Sequence, residues 1–283
     1  MVESIGTQAK PKSTLDALPP LPAVALRVMQ VAQDPASSAS DLALVISSDP
    51  GLSARILRIV NSAAYRRSER EVSSVQEALV VLGFVQARNV AISSAITSAY
   101  APDSLNAQFR IALFWRHSLA VAFRSAELAA NSRKLAVPSA FTAGILHNMG
   151  RLAMFHADPA GIDRAVGLAI AEGLTLEDAE EQFLDYSHAE LGGALAMRWR
   201  LPAEIVTAIA RHHSADPDEV SLAGVVAAAD DFCAASRVLP GYELPLVDDE
   251  EPAAPAPEMA RILRQVDGLM EMVMGDAYGV RAA

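Results

Sequence analysis

Residues 49–65 read DPGLSARILRIVNSAAY and place Leu52, Ile56, Ile59 and Val60 at spacings of three and four, the repeat of one face of an α-helix. Asp49 before Pro50 is a helix start. An aspartate side chain accepts from the free N–H groups of a first turn, and proline at the first helical position lacks an N–H that would go unpaired anyway. Asn61 and Ser62 supply an end. The same period runs outward on both sides. Upstream, Pro19, Pro20 and Pro22 introduce a helix over residues 23–32 with Val24, Val28 and Val31 on one stripe, and Ser40 or Asp41 is placed to cap a second helix through Ile46. Downstream, Ser74 precedes a helix carrying Ala78, Leu79 and Leu82, and Gly83 punctuates it before the apolar stretch of residues 90–96. No segment alternates with period two for long enough to make a strand.

A second helical group is expected over residues 108–130, 139–155, 158–172, 175–198, 202–213 and 219–236. Residues 239–258, LPGYELPLVDDEEPAAPAPE, are rich in proline and acid and read as a surface loop. The last helix, within residues 259–283, sets Ile262, Leu263, Val266, Leu269 and Met270 on one face. Residues 1–14 lack periodicity and read as a loose tail. The fold class is all-α, a multi-helix bundle of about a dozen helices. Composition agrees. Of 283 residues, 52% are hydrophobic but only 5% aromatic, and the apolar set is dominated by alanine, leucine and valine, which leans toward helices.

The net charge of -11 disfavours nucleic acid phosphates and anionic membranes as partners, because such a surface repels both. The clustered Arg66, Arg67 and Arg70 are interleaved with Glu69 and Glu71, so they make no basic patch. Cys233 is the single cysteine, which excludes an internal disulfide and suits a reducing compartment. The first residues carry no apolar signal region, and no apolar run reaches the ~20 residues that span a bilayer. The expectation is a cytoplasmic protein.

The histidines carry the chemical information. His117 sits in FWRHSLAVA (114–122), His147 in FTAGILHNMGRLAMF (141–155), and His188 in DYSHAELGGALAMRW (185–199). His212 follows Ile205 and Ile209 on one stripe, with His213 next, and Asp230 ends the apolar run LAGVVAAAD (222–230). Any one such histidine is ordinarily a hydrogen-bonded core residue, and the 212–213 pair suits the last turn of a helix, where imidazolium complements the dipole. Separate helices each presenting an imidazole inward, with a carboxylate that is costly to bury alone, point instead to a pocket for a transition metal such as iron, zinc or manganese.

These residues resemble the HD superfamily, in which a helical bundle holds one or two metals and hydrolyses phosphate esters. Its signature is a histidine, an adjacent His-Asp pair and a distal aspartate. His117 matches the first histidine, His147 the histidine of the pair and Asp230 the distal aspartate. His188 and His212 fall where two-metal branches, such as HD-GYP, place further histidines. Asn148 stands where the pair has its aspartate, and a neutral amide cannot bridge and offset two cations as a carboxylate does. More of the chain is similar to the HDOD domain, an HD-related output domain. LPPLPAVALRVMQVAQDP (18–35), LALVISSDPGLSARILRIVNSAAY (42–65) and VSSVQEALVVLGFVQARNVAIS (72–93) match its first half. FTAGILHNMGRLAM (141–154), HAELGGALAMRWRLPAEIVTAIARHH (188–213) and LAGVVAAAD match its second.

The resemblance implies an HDOD domain over residues 15–238, with a helical half at 15–105 and an HD-like half at 106–238. It implies a non-catalytic bacterial signalling module that contacts a regulator, a kinase or a cyclic-dinucleotide enzyme. The alternative is a metal-dependent phosphohydrolase acting on a nucleotide or cyclic dinucleotide, with Arg116 and Arg151 beside the histidines as phosphate contacts.

Overall fold

A computed structural model describes residues 12–16, 18–62, 65, 71–100, 110–132, 134–238, 240–241 and 255–274. Among them are fifteen α-helices and no strand. The Arg66, Arg67 and Arg70 cluster and most of the acidic loop lie outside the described residues.

The first half packs α2 (Ala23–Gln33), α3 (Ala39–Ser47), α4 (Pro50–Val60) and α5 (Val75–Leu82) around α6 (Phe84–Ala99). Every residue of α6 from Ala87 to Thr97 is buried. Asp49 caps α4 by accepting from the Leu52 N–H at 2.8 Å, with Pro50 in the first turn, as the local sequence dictates. The start of α3 differs from expectation. Ser38 is the cap, and Asp41 reaches back to the Ser38 N–H, so the two residues satisfy both orphan donors reciprocally. Gly83 separates α5 from α6 at φ 75°, a left-handed geometry that a side chain would strain. No single described helix is long and apolar enough to cross a membrane; α5 and α6 together approach that length but meet at 117°.

The second half is built on α7 (Ile111–Ala130), which packs against α8 (Val137–Leu146) and α14 (Leu222–Ala235). Helix α9 (Met149–Ala157) packs on α12 (His188–Arg198), which in turn covers α13 (Ala203–Arg211); α10 (Pro159–Glu172) and α11 (Leu176–Leu184) form an outer hairpin. Two segments expected as continuous helices are broken. Residues 139–155 split at His147 and Asn148, and residues 175–198 split where Asp185 turns left-handed at φ 63° and Ser187 caps α12. Periodicity alone misses both breaks, because the apolar stripe resumes in phase after each.

Two elements brace the halves. The short α1 (Lys12–Leu15) takes in part of the expected tail and leans on α9 and α12, its buried Thr14 within 3.3 Å of the Tyr186 hydroxyl. Helix α15 (Pro257–Met274) lies across α7, α4 and α6 with Met259, Ile262, Val266, Leu269 and Met270 buried. Arg116 clamps it bidentately to Asp267 at 2.7 and 3.0 Å, Arg124 pairs with Glu258, and Arg261 pairs with Glu127 at 2.6 Å.

Helices α9 and α12 touch at Gly150. A β-carbon there would lie 2.0 Å from the His188 carbonyl oxygen and 2.6 Å from the Gly192 nitrogen, backbone atoms that cannot step aside singly. Gly150→Ala is therefore expected to destabilise the protein by about 3 kcal/mol or more, read from urea unfolding midpoints. Gly167→Ala is the control: nothing lies within 4 Å of its β-carbon, and the swap should be neutral or stabilising by up to about 1 kcal/mol. Equal effects from the two would sink this account of the α9–α12 contact.

Candidate metal centre

The helix ends and breaks deliver the functional side chains. His117 projects from α7, His147 and Asn148 form the break between α8 and α9, and His188 opens α12. His212 caps the end of α13 with His213 following, and Asp230 comes from α14. All six of the metal positions expected from sequence converge here.

The convergence has a backbone cause. His147 Nδ1 donates to the Gly144 carbonyl at 2.6 Å, and His212 Nδ1 to the Ile209 carbonyl at 2.8 Å. Both acceptors sit three residues upstream in the last turn of a helix, where carbonyls lack intrahelical partners. His117 Nδ1 donates to the Val238 carbonyl at 2.7 Å. With Nδ1–H committed three times over, each Nε2 is left with its lone pair facing the interior. His117 Nε2 and His147 Nε2 then lie 3.2 Å apart, with Asp230 Oδ1 at 3.0 and 3.8 Å from them. Two lone pairs and a carboxylate cannot face one another in a dry core without a cation between them, a proton or a metal ion. His212 Nε2 and Asn148 Oδ1 are buried with no hydrogen-bond partner among the described residues, so two further acceptors stand open beside the same spot.

A second group adjoins the first. His188, His212 and His213 can offer ring nitrogens within 4.8 Å of one another, and His117, His147 and Asp230 can offer two ring nitrogens and a carboxylate oxygen within the same distance. The ring centroids of His147 and His212 are 5.0 Å apart, and those of His188 and His212 5.3 Å, so His212 links the two groups. His188 has a different supporting partner. Its Nδ1 donates to Glu180 Oε2 at 2.5 Å, and its Nε2 is 3.0 Å from His213 Nε2. Arg151, 3% exposed, holds Glu180 at 3.2 Å through Nε, while one terminal guanidinium nitrogen lies 3.0 and 3.1 Å from the two ring nitrogens of His188.

Burial sets the protonation. It pushes His147 down to about 3 and drives His188 and His212 well below the ordinary imidazole value, in His188 with help from the Arg151 charge. Burial raises Glu180, against the pull of Arg151. Burial would also raise Asp230, but the hydrogen bond it gains from a protonated His117, and the positive charge of the facing imidazoles whenever they hold a proton, outweigh burial and hold the carboxyl well below its usual value. A neutral imidazole facing a carboxylate is the state in which both ligate metal, so the donor set fits a transition metal at His117, His147 and Asp230, with the Asn148 carbonyl as an extra oxygen.

A cleft of about 410 Å³ opens onto this centre, lined by His117, Asn148, Arg151, His213 and Asp230. Glu177 and Asp178, at the start of α11, form part of its wall, and burial beside Glu181 and Glu180 raises Glu177 to about 7. Of the two arginines expected to meet phosphate, Arg151 reaches the cleft but is held by Glu180. Arg116 is corrected: its guanidinium is turned to Asp267 on α15 and is not part of the cleft lining. Neighbours in a helix point about 100° apart, so a position next to His117 faces away from it. Sequence reasoning missed the roles of His213 and Glu180. The doublet at 212–213 hinted at the first, whereas nothing distinguishes Glu180 from the acids around it in LEDAEEQFL.

His147, His188 and His212 bind protons more weakly folded than unfolded. Their contribution to stability is therefore complete above the unfolded value near 6.5 and is lost as pH falls toward the His147 value of about 3. Each kept neutral is worth about 1.4 kcal/mol per pH unit in that window, so metal-free protein should lose at least about 2 kcal/mol between pH 7 and pH 5. Urea midpoints in chelator decide it; flat stability over that range would mean that the imidazoles are not buried neutral.

Comparison with known proteins agrees with the geometry. An uncharacterized protein of Treponema pallidum is 26% identical over 202 residues; the match covers 71% of this chain, which spans only 38% of that protein's length. The crystal structure of an HDOD domain protein with unknown function from Geobacter sulfurreducens superposes with TM-score 0.68 at 25% identity, covering 95% of this chain and 92% of that one. A structure from Shewanella amazonensis, named as a candidate phosphohydrolase, superposes with TM-score 0.66 at 29% identity over 95% of this chain and 98% of that one. The HDOD domain profile itself matches residues 18–215, and on that span the chain belongs to the HDOD domain family.

Proposed function

We propose that the protein is a non-hydrolytic signalling module whose histidine pocket holds a structural or sensing metal, and whose output passes through contacts with other signalling proteins. Asn148 carries this reading. Its side chain lines the cleft, and its buried Oδ1 has no hydrogen-bond partner among the described residues, at the position where the HD signature has a carboxylate. An amide carbonyl can ligate one ion weakly, but it brings no charge to offset a second and does not bridge as a carboxylate does. A resident ion would be held by His117, His147 and Asp230, and it would supply Lewis acidity and cross-link α7, α8 and α14. The chain's own contribution is orientation: three backbone carbonyls fix the ring tautomers, and α15 holds α7 in place through Arg116. A regulator, a kinase or a cyclic-dinucleotide enzyme is the class of partner the family reading implies.

The second reading is a phosphohydrolase acting on a nucleotide or cyclic dinucleotide. One observation favours it: a cleft that reaches His117 and Asp230 from outside, in a chain 29% identical to a protein named as a candidate phosphohydrolase. The carboxylates in the cleft wall and the engagement of Arg151 by Glu180 count against an anionic substrate.

Untagged protein is expected to carry about one equivalent of iron, zinc or manganese by elemental analysis, to lose it in His147→Ala, and to melt about 5 °C lower or more after chelation. No hydrolysis is expected from a panel of nucleotides, cyclic dinucleotides and bis(p-nitrophenyl) phosphate. Protein that is empty and indifferent to chelator would remove the metal from the proposal. Phosphodiester turnover that vanishes in His147→Ala would replace it with the second reading.

A further inference from the structure

The pocket has room for two ions by ligand type but not by charge. His117, His147 and Asp230 form one triad, His188, His212 and His213 another, and the rings are contiguous. The second triad differs because a guanidinium already sits in it. Arg151 places one terminal nitrogen 3.0 and 3.1 Å from His188 Nδ1 and Nε2, over the face of the ring, while Nδ1 donates to Glu180. An ion bound to this imidazole would take the Nε2 lone pair at about 2.0–2.1 Å. It would also have to approach the fixed positive charge closely in a site with little water to screen it. Of the carboxylates near it, Glu180 is already neutralised by Arg151 at 3.2 Å, and Glu177 lies 4.0 Å from His213 Nδ1, the ring nitrogen opposite the one that meets His188. The neutral amide of Asn148 adds an oxygen but no charge.

We propose that Arg151, anchored by Glu180, stands in for the second metal of the pocket, so that the protein takes up one divalent ion and not two. This rests on the metal reading above and adds to it a stoichiometry and a residue that sets it. Arg151 acts here as a positioning residue: its charge completes the His188 end of the cluster, holds that imidazole against Glu180, and leaves His117, His147 and Asp230 as the loading site. It also explains why an arginine that reaches the cleft is held by a buried glutamate and is not free to meet an anion.

The test is a titration of metal-free, untagged, full-length protein with cobalt(II). Bound ion is counted by equilibrium dialysis, and the visible ligand-field bands of cobalt report the donor set. Wild type is expected to bind about one equivalent, and Arg151→Met about two, with the visible absorbance rising about twofold; Arg151→Lys, which keeps the charge, should stay at about one. Arg151→Met leaves Glu180 buried without its cation and can fail to fold, so the double variant Arg151→Met with Glu180→Gln, which removes the buried pair together, is carried alongside. It too should take a second ion through His188, His212 and His213. Two equivalents in wild type would overturn the proposal, as would a folded single or double variant that still binds one. Wild type that binds none would instead overturn the metal reading beneath it.

Discussion

Three imidazoles whose Nδ1–H groups are tied to backbone carbonyls are the constraint on which the second half of this protein turns. Once Gly144, Ile209 and Val238 have accepted those protons, the Nε2 lone pairs of His147 and His117 face each other and Asp230, and that of His212 is left toward His188 and His213. The helix breaks follow from that need. A histidine in mid-helix finds no free carbonyl one turn back, because the helix has used it, whereas the last turn offers carbonyls that require a donor. His147 and His212 both sit just past a helix end for this reason, and the expected single helix over residues 139–155 gives way to α8 and α9.

Holding so many polar groups in a dry interior requires that their charges be settled locally. Arg151 and Glu180 do this for His188: the glutamate accepts from both the Nδ1 and the backbone N–H of His188, and the guanidinium balances it. The first triad is settled differently: its two facing nitrogens and Asp230 are brought together without an arginine beside them. Packing supports this arrangement. Gly150 lets α9 come into van der Waals contact with the start of α12, and α15 braces α7 from outside through an apolar face and the Arg116–Asp267 fork.

The histidines of this HDOD-family chain are integrated with helix ends and backbone carbonyls, and removing His147 or His212 would leave an orphan carbonyl as well as a cavity. The next position carries no such bond: the Asn148 side chain makes no cap bond and its oxygen has no partner among the described residues, so an acid and an amide there differ chiefly in the charge available to an ion.

Much of the architecture was legible in the sequence, because helix starts and apolar stripes are local. Asp49–Pro50, Gly83 and the Leu52, Ile56, Ile59 and Val60 stripe say where helices lie without reference to the rest of the chain. The convergence of His117, His147, His188, His212 and Asp230 was legible too, because imidazole and carboxylate in apolar runs are costly unless they serve a ligand or one another. Tertiary structure alone decided the rest. Which acid of α11 is buried, which of two arginines beside a histidine faces the pocket, and which nitrogen of the His117 ring is free depend on neighbours more than twenty residues away. Glu180 and Glu181 are alike in sequence, and only the packing of α11 against α10 and α12 turns one toward Arg151 and leaves the other in solvent. A charge is defined by its residue, but its energy is defined by what surrounds it.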